Sequence, residues 1–484
     1  MKKSVFTTLC CLFAGLFTPF ILLGGEPTRI SILKNSRYTL SESVISQNEG
    51  PHKVQFTTGK NKGDKISIGI KANGDVTLNG LKGTFEQNKI VEYEVEAQVF
   101  SVQGDITSLI CNNGNLTSLD VSTLPNLETL QCGSNSLTAL DLSNSKKLKM
   151  LWCNDNHLTK LEIESPVLDQ LVCHKNQLTS IDLSKQTELT QIMIGENPIK
   201  SLDLKHQAKL MALDCSGSNI TELSIEGCQE LVELNCSQTQ LTHLNLSKSP
   251  KLENIDCSKN KLTELLFPAT NSITSLDCSN NQLKQLDLSH ATALSELYCQ
   301  GNRLQHLDLT TAANLASLAC DNNQLESLTI GANKLTAIWC YSNQLTDGVF
   351  QSIVNKLNDC KKSKGFFYIV NGKDANEKNS CSKETVAKAK AKNWLVQDYD
   401  NGSNKEVGIP YEGVTTNDVA PLHFSASSII QEEQHFATTG SSDYIVSVQT
   451  ADGSPVANQA LPNGIYIITL QTSEGQRIVK GLIR

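Results

Sequence analysis

The stretch CSNNQLKQLDLS, residues 278–289, has near copies at 132–143 (CGSNSLTALDLS) and 173–184 (CHKNQLTSIDLS). A cysteine opens each copy. The series runs Cys111, Cys132, Cys153, Cys173, Cys215, Cys236, Cys257, Cys278, Cys299, Cys320 and Cys340, in steps of 21 residues or, twice, 20. One slot is skipped, and Ile194 fills it. Self-similarity at a fixed period marks a repeat architecture. The common unit is L-x-x-L-x-C-x-x-N-x-L-t-x-L-d-L-s plus four looser residues, and twelve units span residues 105–346.

In the second unit the pattern is Leu127, Leu130, Cys132, Asn135, Leu137, Leu140 and Leu142. The short bursts alternate with the period of a strand. A single unit cannot bury its apolar side, whereas stacked units bury it between them, so a coil of parallel strands is expected. The cysteine points inward, in keeping with the isoleucine that replaces it once. Neighbouring thiols then stand about 4.8 Å apart and pack as small hydrophobes. An odd number of them cannot all pair as disulfides, and no histidines accompany them to make a metal array.

Ten asparagines form a second ladder: Asn115, Asn135, Asn156, Asn176, Asn197, Asn260, Asn281, Asn302, Asn323 and Asn343. A buried amide there can satisfy backbone groups where the chain turns and can bridge to the next coil. Ser218 and Thr239 replace it in two units, where a looser region is expected. The Leu-Asp-Leu-Ser segment, as at Leu140 to Ser143, reads as a second short strand ending in a polar turn.

The unit LxxLxCxxNxLtxLDLS resembles the cysteine-bearing 21-residue repeat of the internalin J-like group of bacterial leucine-rich repeat proteins. The resemblance covers half the chain. It implies a mainly β protein, a right-handed leucine-rich repeat solenoid that serves adhesion or partner binding. It names no partner, since a fold does not set a function. Gram-positive members end in an LPxTG-type sorting signal, and this sequence has none.

The flanks read differently. Lys2 and Lys3, then an apolar run from Val5 to Leu23, then Gly24 and Gly25, give residues 1–25 the pattern of a secretory signal peptide. Residues 26–104 read as an N-terminal β domain, with Asn73–Gly74 as a hairpin turn. Residues 347–399 read as an α/β cap. Val349, Phe350, Ile353, Val354 and Leu357 share one helical face, a strand follows at Phe366 to Val370, and a second helix starts near Ser382. Cys360 and Cys381 flank that strand, either as a disulfide or as two unpaired thiols. Residues 400–425 read as a linker. Residues 426–484 alternate as a terminal β-sandwich-like domain. The Asp452–Gly453 hairpin, the block from Leu461 to Tyr466 and the last strand with Lys480 make it resemble the C-terminal sorting domain of the type IX (Por) secretion system of Bacteroidetes. That resemblance implies export to the outer membrane surface of a Gram-negative cell, with attachment through the secretion pathway rather than a transmembrane helix.

The residue before each cysteine should face outward from the concave sheet. Trp152, Val172 and Met193 then make an apolar run, and Asp214, Asp256 and Asp277 an acidic stripe. Tyr298 and Trp339 close the far end, with Tyr341 one step beyond the last cysteine. Ser216, Ser237, Ser258 and Ser279 stand after the cysteines on the same face. The stripe is either a solvated surface or a dock for a basic or hydroxyl-rich partner, with or without Ca²⁺. Exposed aromatics commonly anchor interfaces, so these residues are the candidate partner-binding set.

No catalytic fingerprint is present. His174 would point away from the inward Cys173. Asp398, Asp400, Asn401 and Gly402 hint at a calcium loop without its spacing. A formal net charge of -8 and the lack of a basic run argue against nucleic acid. The expectation is a non-enzymatic, cofactor-free surface protein that binds a protein or glycan on host cells or neighbouring bacteria. Self-association in a surface layer or biofilm matrix is the alternative.

Overall fold

The computed structural model describes residues 52–415, apart from 270–271, 332, 362 and 401–407, together with the backbone of six strands between 422 and 483. The signal-like segment, the first part of the N-terminal β domain and the Asp452–Gly453 hairpin lie outside the described residues. The chain divides into two compact units, the first ending at Ile273 and the second beginning at Thr274.

The first unit opens with β1 (Lys53–Thr58), β2 (Lys65–Asn79), β3 (Leu81–Lys82), β4 (Lys89–Val95), β5 (Val99–Ile110) and β6 (Leu116–Asp120). β1 lies antiparallel between β5 and β6, with Phe56 opposite both Phe100 and Leu119. The Phe56 and Phe100 rings stack at 4.6 Å. Asn73–Gly74 is not a hairpin turn. β2 runs straight through it and pairs with β5 on both sides. Asn73 faces Asp105 and Thr77 faces Gln103, so three residues of β2 bulge against Gly104 alone. Gly74 takes a positive φ of 88°, and a side chain at residue 104 would run into the Asp75 carbonyl. The twelve-residue β5 supplies partners for both halves of β2, and that long template turns a hairpin signal into a bulge.

The far end of β5 becomes the first rung of a parallel ladder: Leu109 pairs in register with Leu130, and Leu130 with Leu151. The rungs continue through Leu171, Ile192, Leu213, Leu234 and Ile255. Each rung is three residues long, with one inward side chain between two outward ones. The inward residues are sealed from solvent, and each buried leucine contributes about 1.5–3 kcal/mol. The cysteines that follow the rungs are free and buried, and Ile194, which stands in their place after Gln191–Met193, is buried too.

The asparagine ladder bridges coils. Asn135 donates its amide to Cys111 O and Cys132 O, and accepts the Leu116 N–H. Asn176, Asn197, Asn302 and Asn343 repeat these bonds. The Ser218 hydroxyl is buried with no partner. Thr239 Oγ1 reaches Cys236 O at 3.1 Å and Asn260 Oδ1 at 2.6 Å. After Asn115, the residue before each ladder position adopts positive φ, as at Ser134, Asp155, Lys175, Glu196, Gly217, Gln238 and Lys259.

The expected second strand is fragmentary. In the first unit it forms at Ser201–Asp203 with Glu222–Ser224 and at His243–Asn245 with Glu264–Leu266. In the second unit His306–Leu309 pairs with Ser327–Ile330, while the segments at Asp141 and Asp182 form no strand. Asp141 and Asp182 accept the N–H two residues on, from Ser143 and Ser184. The same bond forms where the strand does pair, from Lys205 to Asp203 and from Ser247 to Asn245, so it closes the turn without displacing the strand.

In the second unit, parallel rungs at Ser275–Asp277, Glu296–Tyr298, Ser317–Ala319 and Ala337–Trp339 pass directly into cap strands Gly365–Val370 and Trp394–Asp398. Helix α1 (Asp347–Lys356) buries Phe350, Ile353 and Val354. Phe367 lies edge-on to both Phe350 and Trp394. Helix α2 (Lys383–Ala391) is capped by Ser382, whose side chain accepts the Thr385 N–H.

Cys360 and Cys381 do not form a disulfide; both are free and buried. The Cys360 N–H bonds the carbonyl of Lys392, the C-cap of α2. Cys381 precedes the N-cap of the same helix. A helix of this length separates its ends by about 14 Å, beyond the roughly 7 Å that a disulfide spans between Cα atoms. The expected linker is structured over residues 408–414. Ile409–Pro410 closes the sheet antiparallel to Gln397 and Asp398, and Val414 bridges Ser382. The terminal strands form one six-stranded sheet. Its hairpin pairs Thr472 with Gly475. Among the described residues no helix is long and apolar enough to cross a membrane.

Candidate binding surface

Parallel strands with one sealed side chain per rung leave two outward positions per rung. In the first unit, from Ser108 to Asp256, none of these positions holds lysine or arginine, although the chain carries 42 of them. The rungs from Ser108 to Met193 carry no charge at all. Gln131, Met150, Trp152 and Gln170 are half-exposed there. Gln131 Nε2 sits 3.5 Å from Met150 Sδ. The Trp152 indole N–H is buried without a partner.

Val172 and Met193 share that row but are not open, at 5% and 3% exposure. Val172 is the small member between Trp152 and Met193. Met193 is covered in part by the Gln191 amide, 3.5 Å from its sulfur. An outward direction therefore does not make these two side chains accessible.

The acidic stripe has a structural cause. Asp214 Oδ1 accepts both the N–H and the hydroxyl of Ser216, at 2.9 and 2.7 Å. Asn235 does the same for Ser237, and Asp256 accepts the Ser258 N–H. The serines are thus spent inside turns, and Ser237 and Ser258 are buried. Burial pushes the Asp214 carboxyl up, and its bonds to Ser216 pull the other way. Burial also raises Glu233, helped by neighbouring Glu253. One Glu233 carboxylate oxygen is buried with no partner. Burial lowers the His174 imidazole. Cys173 is sealed and pushed up to about 12 by burial, so no thiolate nucleophile stands beside that histidine near neutral pH.

In the second unit, Asp277 accepts the N–H of the fully buried Ser279. Tyr298, Ala319, Trp339 and Tyr368 follow in register along the outward row. Trp339 stacks on Tyr368 with centroids 5.7 Å apart and planes 5° apart. Tyr341 is at 7% exposure because it stacks on Tyr399 at 4.3 Å, so it supports the cluster from below rather than standing open. Tyr368 and Tyr399 meet edge to face. Phe366 and Leu395 are half-exposed in the adjoining row. Sequence reasoning missed Tyr368, Phe366 and Tyr399. The alternation in GFFYIV held the signal for Phe366 and Tyr368, and only the register with Ala337–Trp339 puts those two rings on the binding side.

Of the residues that hint at a calcium loop, Asn401 and Gly402 lie outside the described residues. Asp398 Oδ1 accepts the N–H groups of Gly372 and Asp400, and Asp400 pairs with Lys373 at 2.8 Å. Among the described residues no cluster of three acidic, histidine or cysteine side chains is arranged for a metal ion.

No protein-family model matches this chain, and no curated protein does. Solved structures do. The functional domain of InlJ from Listeria monocytogenes, described as including a cysteine ladder, is 24% identical, with 79% of this chain and 93% of that one covered, at a TM-score of 0.49. A leucine-rich repeat protein of Leptospira interrogans is 22% identical over 60% and 83% of the two chains, at 0.45. The internalin InlF of Listeria monocytogenes is 20% identical over 51% and 77%, at 0.44.

Proposed function

We propose that this is an exported surface protein that holds a protein or glycan partner on the outward face of its parallel strands and does no chemistry on it. One observation carries the reading: half-exposed aromatic side chains stand on a strand face that is free of lysine and arginine in both units. Aromatic anchors with lysine absent around them share part of the composition of interface cores. The signal-like residues 1–25 and the resemblance of the terminal segment to a sorting domain support export to the outer membrane surface.

The test is a double substitution, Trp152→Ala with Trp339→Ala, in the full chain. Retained circular dichroism with loss of binding to host cells or neighbouring bacteria is the expected result. A folded double variant that binds as well as the parent sinks the proposal. Protease shaving of intact cells of the source organism tests export, and a protein untouched until lysis overturns that part. Sedimentation at high concentration addresses self-association, which a strict monomer counts against.

A further inference from the structure

We infer that the strand face of the first unit takes a protein segment that carries an apolar side chain followed, about four residues later, by lysine or arginine. This rests on the strand-face reading above and narrows it from protein or glycan to a basic-flanked peptide surface.

Three observations lead there. The uncharged rungs end in a band of carboxylates, Asp214, Glu233 and Asp256, with no cation among the outward positions of these rungs. The first cation past the opposite end is Lys71, paired with Ser108. A partner with a matching cation therefore has one orientation in which its charge is complemented and one in which it is repelled. Next, the serine hydroxyls beside the band are already committed, so the band offers a partner chiefly its negative charge. Asp214, Asn235, Ser216 and Ser237 bond one another within their turns. What stays half-exposed is Trp152 with the flanking Met150, Gln131 and Gln170, where the indole and the thioether receive an apolar side chain. The spacing comes from the register. Trp152, Val172, Met193 and Asp214 are successive rungs of one row. Three steps of about 4.8 Å place the carboxylate about 14 Å from the indole, which an extended peptide covers in about four residues.

The experiment selects phage-displayed random dodecapeptides on the full-length protein and screens the same protein on a glycan array. Expected are enriched peptides with an aromatic or large aliphatic residue and a lysine or arginine about four positions on. Their binding should fall about tenfold with Trp152→Ala. Gln131→Lys, a half-exposed position whose change does not threaten folding, should cost a similar factor. Asp214→Asn with Glu233→Gln should weaken it about fivefold, and so should raising NaCl from about 50 to about 300 mM. Enriched peptides that lack basic residues, or binding indifferent to the neutralised pair, overturn the inference. Glycan binding without peptide enrichment overturns it too and leaves the broader strand-face reading standing. Binding to neither overturns both.

Discussion

Asn156 Oδ1 accepts the N–H of Leu137 at 2.9 Å, across the boundary between neighbouring coils. Its amide donates to Cys132 O and Cys153 O, one in each coil. One buried side chain thus satisfies three backbone groups that no strand partner reaches. Asn156→Ala leaves them unpaired and should cost about 2–4 kcal/mol. Urea unfolding under a thiol reductant, followed by circular dichroism, measures this. A loss under about 0.5 kcal/mol removes the clamp from the account of stability.

Ser218 occupies the same slot with a hydroxyl that bonds nothing. The residue before it, Gly217, already has the left-handed φ of 65° that precedes the ladder asparagines. Ser218→Asn should therefore complete the ladder after Asn197 and add about 1–2 kcal/mol. A lowered urea midpoint refutes the idea that the gap is a missing bond.

The positive-φ positions make a paired prediction. Lys259 is exposed and sits at φ 56°. Relief of the left-handed penalty exceeds the entropy cost of glycine, so Lys259→Gly should stabilise by up to about 1 kcal/mol. Gly217→Ala should do the reverse, since the new Cβ meets Glu196 Cγ at 3.2 Å. Equal thermal midpoints for both variants and the parent contradict the argument.

Asp214 predicts a pH effect of defined sign. Its folded carboxyl is raised by burial, so the folded state holds the proton more tightly than the unfolded chain. Stability then falls as pH rises from the ordinary value near 3.9 up to the raised one. Asn235 shows that an amide makes the same bonds to its serine. Asp214→Asn should match or exceed the parent at pH 7, with the gain shrinking toward pH 4. Asp287 runs the other way, because the Ser289 N–H lowers it. Its contribution is present above the unfolded value and is lost as pH falls through the folded one. Urea midpoints at several pH values test both, and a pH-independent difference for Asp214→Asn counts against the burial argument.

Spacing made part of this legible. Leucine, cysteine and asparagine at one period dictate rungs, a sealed interior and a bridging amide, because all three demand burial in the same register. Other features depend on partners far away in sequence. Asn73–Gly74 reads as a turn until β5 is seen to be long enough to pair on both sides of it. Cys360 and Cys381 read as neighbours until α2 is seen to hold them at its opposite ends. Val172 and Met193 point outward yet are shaded by Trp152 and Gln191, which alternation alone does not reveal. Most left-handed positions before the ladder residues carry serine, aspartate, lysine, glutamate or glutamine, and only Gly217 and Gly301 are glycine, so composition gave little hint of them. Asp-x-Ser looked like a surface charge pattern, and its meaning as a turn lock appears only in the bonds.

Fourteen cysteines among the described residues are unlinked and hidden from solvent. In the folded molecule an oxidant finds almost nothing to attack. Once the chain opens, the same sulfurs sit about twenty residues apart along a loose polymer and cross-link faster than coils can rewind. Denaturation in air should therefore be a one-way event, and the protein's survival outside a reducing medium is set by how rarely it opens rather than by how favourably it refolds.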